Sequence, residues 1–427
     1  MIDQPKTHDV IIVGGGPAGT VTALNLLKSG VKPLIVERDP FPRYHIGESL
    51  TGEVGGRLRE LGLEDRLKAS NYPIKHGVTV YGPNGQNTFW VPVMRRGEDG
   101  ELHATTTWQV RRSEFDQMLL DAAVERGATL LRARADKPLL DGDQVVGLRV
   151  RHNDGTTEDH FSRVLVDASG QSTFLANSDA PTGEKYRGRY DKQVAVFSQV
   201  RGTIRDLGDA SGNTIIFYKT KGHWAWFIPL DDDIVSVGVV VQGQYFSSQK
   251  LSKEDFLRQE LRTLNSELTR RVPNLDFCED VHSVSNYSYH VKQFTGKGFL
   301  CVGDSHRFVD PIFSFGVNFA FHEARLASQA IDRFLKEGAH ESDDPFQDYQ
   351  QRSERAQDAI QDLVDVFWDR PLPFVILVHH QRHREGMIDL FAGRIFSDKL
   401  VDNKALQALR RCKGKDSHQA ASVVTST

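Results

Sequence analysis

Cysteine is scarce in this chain: three thiols among 427 residues, at Cys278, Cys301 and Cys412. An odd, scattered set without metal-ligand spacing excludes a disulfide framework and a cysteine-built metal centre, and it suits a reducing cytoplasm. No apolar run approaches the roughly 20 residues that a membrane span needs, so no stable membrane association is expected. Polar residues 1–9 lead directly into a β-branched run without a basic and apolar leader, and no signal peptide is expected. Charge of one sign is lacking too. The net charge is −4, which gives no reason to expect nucleic acid as a partner. Internal repeats are absent. What remains is an ordinary globular composition, 39% hydrophobic and 26% charged, in a chain long enough for two or three packed lobes.

The first forty residues are the most sharply patterned. A β-branched run over 9–13 is followed by Gly14-Gly15-Gly16-Pro17-Ala18-Gly19, an apolar helical stretch over 21–27, and a second strand over 32–37 that ends on Glu37. Strand, glycines, helix, strand and acid in this order make a dinucleotide-binding βαβ unit. Gly14 serves the tight turn, Gly16 the close approach of a pyrophosphate, and Gly19 the helix–strand packing. Free N–H groups at the helix start would meet phosphate and Glu37 a ribose hydroxyl, with Ala18 and Arg38 beside them.

Helical periodicity predicts helices over 57–68, 113–126, 251–272 and 317–334. Strands are expected over 78–81, 88–93 and 105–110, in a hairpin-rich insertion spanning about 72–110, and again over 145–150, 163–166 and 299–302. Four runs, 194–200, 214–218, 224–229 and 234–241, alternate apolar and polar residues, which predicts one antiparallel sheet. Beyond 343 the chain reads as charged helices, then as a polar tail over 413–427 expected to be disordered. The fold class is α/β: a Rossmann-type nucleotide-binding lobe (1–185, returning at 291–340), an inserted antiparallel-sheet substrate lobe (186–290) and a helical C-terminal region (341–412).

Later segments narrow the nucleotide. Val110-Arg111-Arg112-Ser113-Glu114-Phe115-Asp116, Val166-Asp167-Ala168-Ser169-Gly170 and the pair Gly303-Asp304 occur in this order. They resemble the matching segments of the FAD-dependent aromatic monooxygenases. The resemblance implies FAD as cofactor, with Arg112 approaching it, Asp304 on its ribityl chain and Asp167 in the internal segment. No second glycine fingerprint is present. Reduced flavin is therefore expected from a separate NAD(P)H-dependent flavin reductase, unless NAD(P)H binds transiently.

Asp310-Pro311-Ile312-Phe313-Ser314-Phe315-Gly316-Val317-Asn318 opens the last expected helix. Its N–H groups, made accessible at Gly316, form either an anion pocket or a plain loop closing over the flavin ring with Pro311 and Val317. Two of the five tryptophans stand in Trp224-Ala225-Trp226-Phe227-Ile228-Pro229. On a strand they point the same way, as a wall or merely as core. With Lys75 in Tyr72-Pro73-Ile74-Lys75-His76-Gly77-Val78 and the run Arg43-Tyr44-His45-Ile46-Gly47-Glu48-Ser49-Leu50, the chain resembles the flavin-dependent halogenases, from the glycine fingerprint to about Ile395.

That resemblance implies a flavin-covering strap carrying Ile46, Gly47, Glu48 and Ser49, and a halide site at Ser314, Phe315 and Gly316. Trp224 and Trp226 would separate flavin from substrate, and Lys75 would be the active-site lysine. FADH2 and O2 would give a flavin hydroperoxide, chloride or bromide would attack it, and the hypohalous acid would pass to Lys75. The lysine would then either orient the oxidant or become a haloamine, for which burial must depress its pKa. Tryptophan halogenases carry glutamate where this chain has Phe313. Its absence fits an electron-rich phenolic or pyrrolic substrate, free or tethered to an acyl or peptidyl carrier protein. The alternatives are an FAD-dependent monooxygenase or reductase of the same fold, or a non-catalytic flavoprotein.

Overall fold

The computed structural model describes residues 6–85, 88–338 and 344–413. The expected tail lies outside the described residues except for Lys413, which ends the helix Lys404–Lys413. The first lobe is built on the strand Lys6–Val13, flanked in parallel by Leu34–Glu37 and Thr157–Asp167. Thr129–Arg132 and Phe299–Cys301 extend the sheet on either side. Val10 to Ile12 are fully buried because helices cover both faces of such a sheet. Register aligns Val13 with Val36 and Asp167, and Asp167 with Cys301. These C-terminal strand ends therefore share one edge, where open α/β sheets bind ligands. The helices Pro17–Lys28 and Gly316–Glu337 pack together and both begin at that edge.

The second lobe is the expected sheet. Gln193–Arg201, Val235–Gln242, His223–Pro229 and Thr214–Thr220 pair antiparallel in that order. Gly77–Tyr81 adds in parallel to Thr214–Thr220, and Phe89–Pro92 forms the edge. Of the strands in 72–110 these two extend the substrate sheet, while Ile74–Lys75 with Thr107–Trp108 and Met94–Arg96 with Leu102–Ala104 pair as separate two-stranded ladders. Strand alternation gives its two faces separate duties. Ile215, Phe217, Ala225, Phe227, Val237 and Val239 form a core with Phe256, Leu257, Leu261 and Leu268. Each large apolar side chain buried there contributes roughly 1.5–3 kcal/mol. Thr214, Ile216, Trp224, Trp226 and Ile228 face the first lobe and line the cavity between the sheets.

Several expected elements are broken by local chemistry. The helix expected over 57–68 is two, Gly52–Glu60 and Glu64–Ala69, because Gly62 turns the chain at φ +67°. The one expected over 251–272 is also two, Lys253–Thr263 and Ser266–Arg271. Asn265 caps the second by accepting the Glu267 N–H at 3.0 Å. Both are amphipathic surface helices: Phe256, Leu257, Leu261 and Leu268 are fully buried, while Glu254, Asp255, Arg262 and Thr263 are exposed. The strand expected over 105–110 shortens to Thr107–Trp108 and pairs with Ile74–Lys75. C-terminally, Gln347–Asp369, Pro371–His379, Gln381–Ala392 and Lys404–Lys413 fold back over the join of the two lobes. Among the described residues no helix is long and apolar enough to cross a membrane.

Candidate active site

A cavity of about 1050 Å³ opens at the shared strand edge and runs to the inner face of the second sheet. Gly14, Gly16 and Ala18 line its near end. A Cβ at Gly14 would meet the Ala168 carbonyl oxygen at 2.4 Å, and one at Gly19 the Gly14 oxygen at 1.9 Å, so both glycines are forced by packing. At Gly16 only an Arg43 nitrogen comes within 4 Å, at 3.7 Å, which leaves the helix start open to a phosphate. Glu37 lines the cavity beside Arg38 and accepts the Gly15 and Asp39 N–H groups at 2.7 and 2.8 Å. Each oxygen keeps a lone pair for a ribose hydroxyl.

The strap crosses the middle of the cavity, with Ile46, Gly47, Glu48 and Ser49 all on its surface. Arg112 holds it there. The guanidinium forks onto Asp116 at 2.7 and 2.9 Å and donates to the Ile46 carbonyl at 2.5 Å. Asp304 faces the same space. Asp167 stands behind Ala168, its two oxygens accepting the Ser169 and Leu175 N–H groups at 2.9 and 2.8 Å. Asp167, Gly19 and Gly303 shape the wall without lining it, whereas Pro311, Ser314, Phe315, Gly316 and Val317 line it directly. Asp310 accepts the Ile312 N–H at 2.9 Å and Ser314 takes φ +59°. This bend turns the first N–H groups of the 22-residue helix Gly316–Glu337 toward the cavity, where an anion neutralises the positive end of the dipole.

Trp224 and Trp226 close the far side, with ring centroids 5.9 Å apart. Trp226 donates to the Ser236 hydroxyl at 3.1 Å and lies across Gly238, where a Cβ would sit 2.3 Å from its ring. The Trp224 N–H is buried with no partner among the described residues. Lys75 is buried but does not itself line the cavity. Its ammonium donates to the Ser49 hydroxyl at 2.8 Å and to the Leu50 carbonyl at 2.9 Å. Ser49 shares a 2.7 Å hydrogen bond with Thr214, which accepts from Gln109 at 2.8 Å. Ser49 and Thr214 are both on the cavity surface, so the amine stands one hydroxyl behind it. Burial alone lowers the Lys75 pKa to about 7.

Comparison with known proteins settles what this arrangement belongs to. Residues 7–363 match the FAD binding domain family. The chain is 36% identical over 391 residues to the 1H-pyrrole-2-carbonyl-[peptidyl-carrier protein] brominase of Pseudoalteromonas luteoviolacea, covering 92% of this chain and 93% of that protein. The chain belongs to the flavin-dependent halogenases. A halogenase from Pseudomonas fluorescens, the 1H-pyrrole-2-carbonyl-[peptidyl-carrier protein] chlorinase, is 28% identical, covering 92% of this chain and 91% of that protein. The structure of the flavin-dependent brominase Bmp2 superposes with a TM-score of 0.88 at 35% identity, over 95% of this chain and 98% of that one.

The halogenase cavity fits FAD. It has an open phosphate cradle at Gly16 and two buried carboxylate oxygens without a hydrogen-bond partner among the described residues, Glu48 Oε2 and Asp310 Oδ2. Burial raises the Glu48, Asp304 and Asp310 carboxyls each to about 7. Sequence reasoning did not single out Thr214, Gln109, Ser236 and Gly238, nor Phe197, whose ring lies 5.8 Å from that of Trp226. Strand parity carried the signal for Phe197, Thr214, Ser236 and Gly238, which share the face of the two tryptophans. For Gln109 no local signal existed. Phe313 sits behind the loop Ser314–Gly316 and packs on Phe367, Phe391 and Phe374 at centroid distances of 5.1, 4.9 and 6.4 Å.

Proposed function

We propose that this halogenase brominates or chlorinates a pyrrole-type ring carried as a thioester on a carrier protein. Its relatives that act on 1H-pyrrole-2-carbonyl carrier proteins support this reading at full length. The observation that carries it is the setting of Phe313. Where an indole-directed site would offer a carboxylate, this chain presents a ring among other rings. An electron-rich pyrrole stabilises its own cationic intermediate and has no need of that carboxylate. In the cytoplasm, a separate NAD(P)H-dependent reductase would deliver the reduced flavin.

Bound reduced FAD would supply the two electrons that bring O2 to the peroxide level, the oxidant that turns halide into hypohalous acid. The protein's own groups do the rest. Backbone N–H groups at Phe315 and Gly316 hold the halide, and Trp224 and Trp226 keep the organic ring from the cofactor. Ser49 takes a hypohalous acid from the cavity toward Lys75. With the amine neutral, its lone pair attacks the halogen, the O–X bond breaks, and the departing hydroxide leaves as water with the amine proton. The ring carbon next takes the halogen, the N–X bond returns its electron pair to nitrogen, and the ring proton departs. The test supplies FAD, NADH, a flavin reductase, bromide or chloride and pyrrole-2-carbonyl carrier protein. Mass spectrometry should show halogen isotope patterns on the acyl arm. Oxygenated or unchanged arm would overturn the reading.

A further inference from the structure

The helix Pro371–His379 separates the ring cluster at Phe313 from the outside. Its inner face is anchored by Phe374, fully buried, whose ring also lies 5.8 Å from Phe89 and 5.2 Å from Phe367. The outer face is unusual. Leu372 and Ile376 are 73% and 61% exposed, one helical turn apart, and His379 continues the same stripe. Isolated exposed leucines need no explanation, but an apolar stripe on the short helix that covers the ring cluster behind the Ser314–Gly316 loop does.

The rim of this stripe is basic. Arg370 precedes it, and Arg382 and Arg384 follow at the start of Gln381–Ala392, all exposed. None of these three arginines has an acidic partner among the described residues. The nearby acids are already engaged: Asp369 pairs with Arg189 and Lys221, and Glu385 with Arg96. The local field is therefore positive although the whole chain carries −4. His380 is exposed between the apolar and basic parts.

We propose that Leu372, Ile376, His379 and the arginines 370, 382 and 384 form the docking surface for the acidic carrier protein that presents the acyl arm. This rests on the carrier-tethered reading above. The match is chemical. An apolar stripe takes the partner's apolar contact, and unpaired arginines take its carboxylates and the phosphodiester at the base of the arm. Docking on this helix places the arm on the outer side of the ring cluster of Phe313, Phe367, Phe374 and Phe391 that backs the cavity-lining loop Ser314–Gly316.

Ile376→Asp and an Arg382→Glu/Arg384→Glu double variant test it, because both alter exposed positions and should fold. Melting temperature and FAD affinity should match the parent protein. KM for pyrrole-2-carbonyl carrier protein should rise at least tenfold, and the parent KM should rise with salt. Turnover of a pyrrole-2-carbonyl pantetheine thioester, which lacks the carrier, should stay unchanged. Parent-like KM for the carrier in both variants would overturn the surface while leaving the halogenation reading standing. If the parent enzyme halogenates free pyrroles and never the carrier-bound ring, the reading itself falls and takes the surface with it. Binding of the parent to anionic vesicles, lost in Ile376→Asp, without binding to carrier protein would also overturn it.

Discussion

A buried amine without a carboxylate is the strangest single group in the molecule. Lys75 has a hydroxyl and a carbonyl for partners, and both favour the charged form less than a counter-ion would. Folding therefore penalises its protonated state. That penalty is complete below about pH 7 and fades as pH rises toward the unfolded lysine value, about 10.4. Lys75→Met should consequently keep the fold and melt no lower than the parent at pH 6, while halogenation drops by three orders of magnitude or more. FAD binding, followed by flavin fluorescence, should not change. Product formation within tenfold of the parent would show that the amine has no part in the chemistry. The position of Lys75 in its segment was readable from sequence. Its screening by Ser49 was not, because it depends on the strap meeting the strand Ile74–Lys75 from 26 residues away in sequence.

The strand His223–Pro229 and its neighbours divide their labour by parity. Its even-numbered positions face the cavity and its odd ones the helical layer behind, so alternation alone made the sheet legible. What alternation could not reveal is which small residue makes room for a large one. Gly238 opposes Trp226 in register, and a methyl group there would meet the indole at 2.3 Å and the Phe197 Cβ at 2.6 Å. Gly238→Ala should therefore displace the wall, at a cost of about 1–3 kcal/mol in stability. Tryptophan fluorescence and near-ultraviolet circular dichroism should both shift. Peroxide should also be released at the expense of halogenated product, and an unchanged ratio of the two would show that the wall tolerates the shift. Helix breaks were legible in principle: Gly62 and Asn265 are ordinary stop and cap residues inside patterns that periodicity alone reads as continuous.

At the scale of the whole molecule, the cavity concentrates buried acids that an unliganded fold pays to keep. Glu48, Asp304 and Asp310 all have pKa values raised to about 7 by burial. Their proton-bound forms suit the fold, so stability is fullest below the unfolded carboxylate value and is lost as pH climbs through about 7. Glu48→Gln should be more stable than the parent without flavin. The gap should open between about pH 4 and 7, reach as much as about 3 kcal/mol, and stay flat above. Urea unfolding at a series of pH values measures it, and a gap independent of pH would show that Glu48 ionises normally in the fold. The Rossmann order and the paired motifs made this architecture legible from local signals. The burial of its three carboxyls was not, since they come to the one cavity from the strap, the turn after Phe299–Cys301 and the loop before Gly316–Glu337.

The parity of the wall strand has a consequence for descent as well as for chemistry. Because Trp224, Trp226 and Ile228 project away from the helical layer that Ala225 and Phe227 help to hold, a lineage can vary one set without disturbing the other. Changes at even positions act on the cavity and its lobe, and changes at odd ones on the helical layer. A mutational library confined to the even positions of this strand should accordingly reshape the cavity while leaving the packing of Ala225 and Phe227 against Phe256, Leu257 and Leu261 in place.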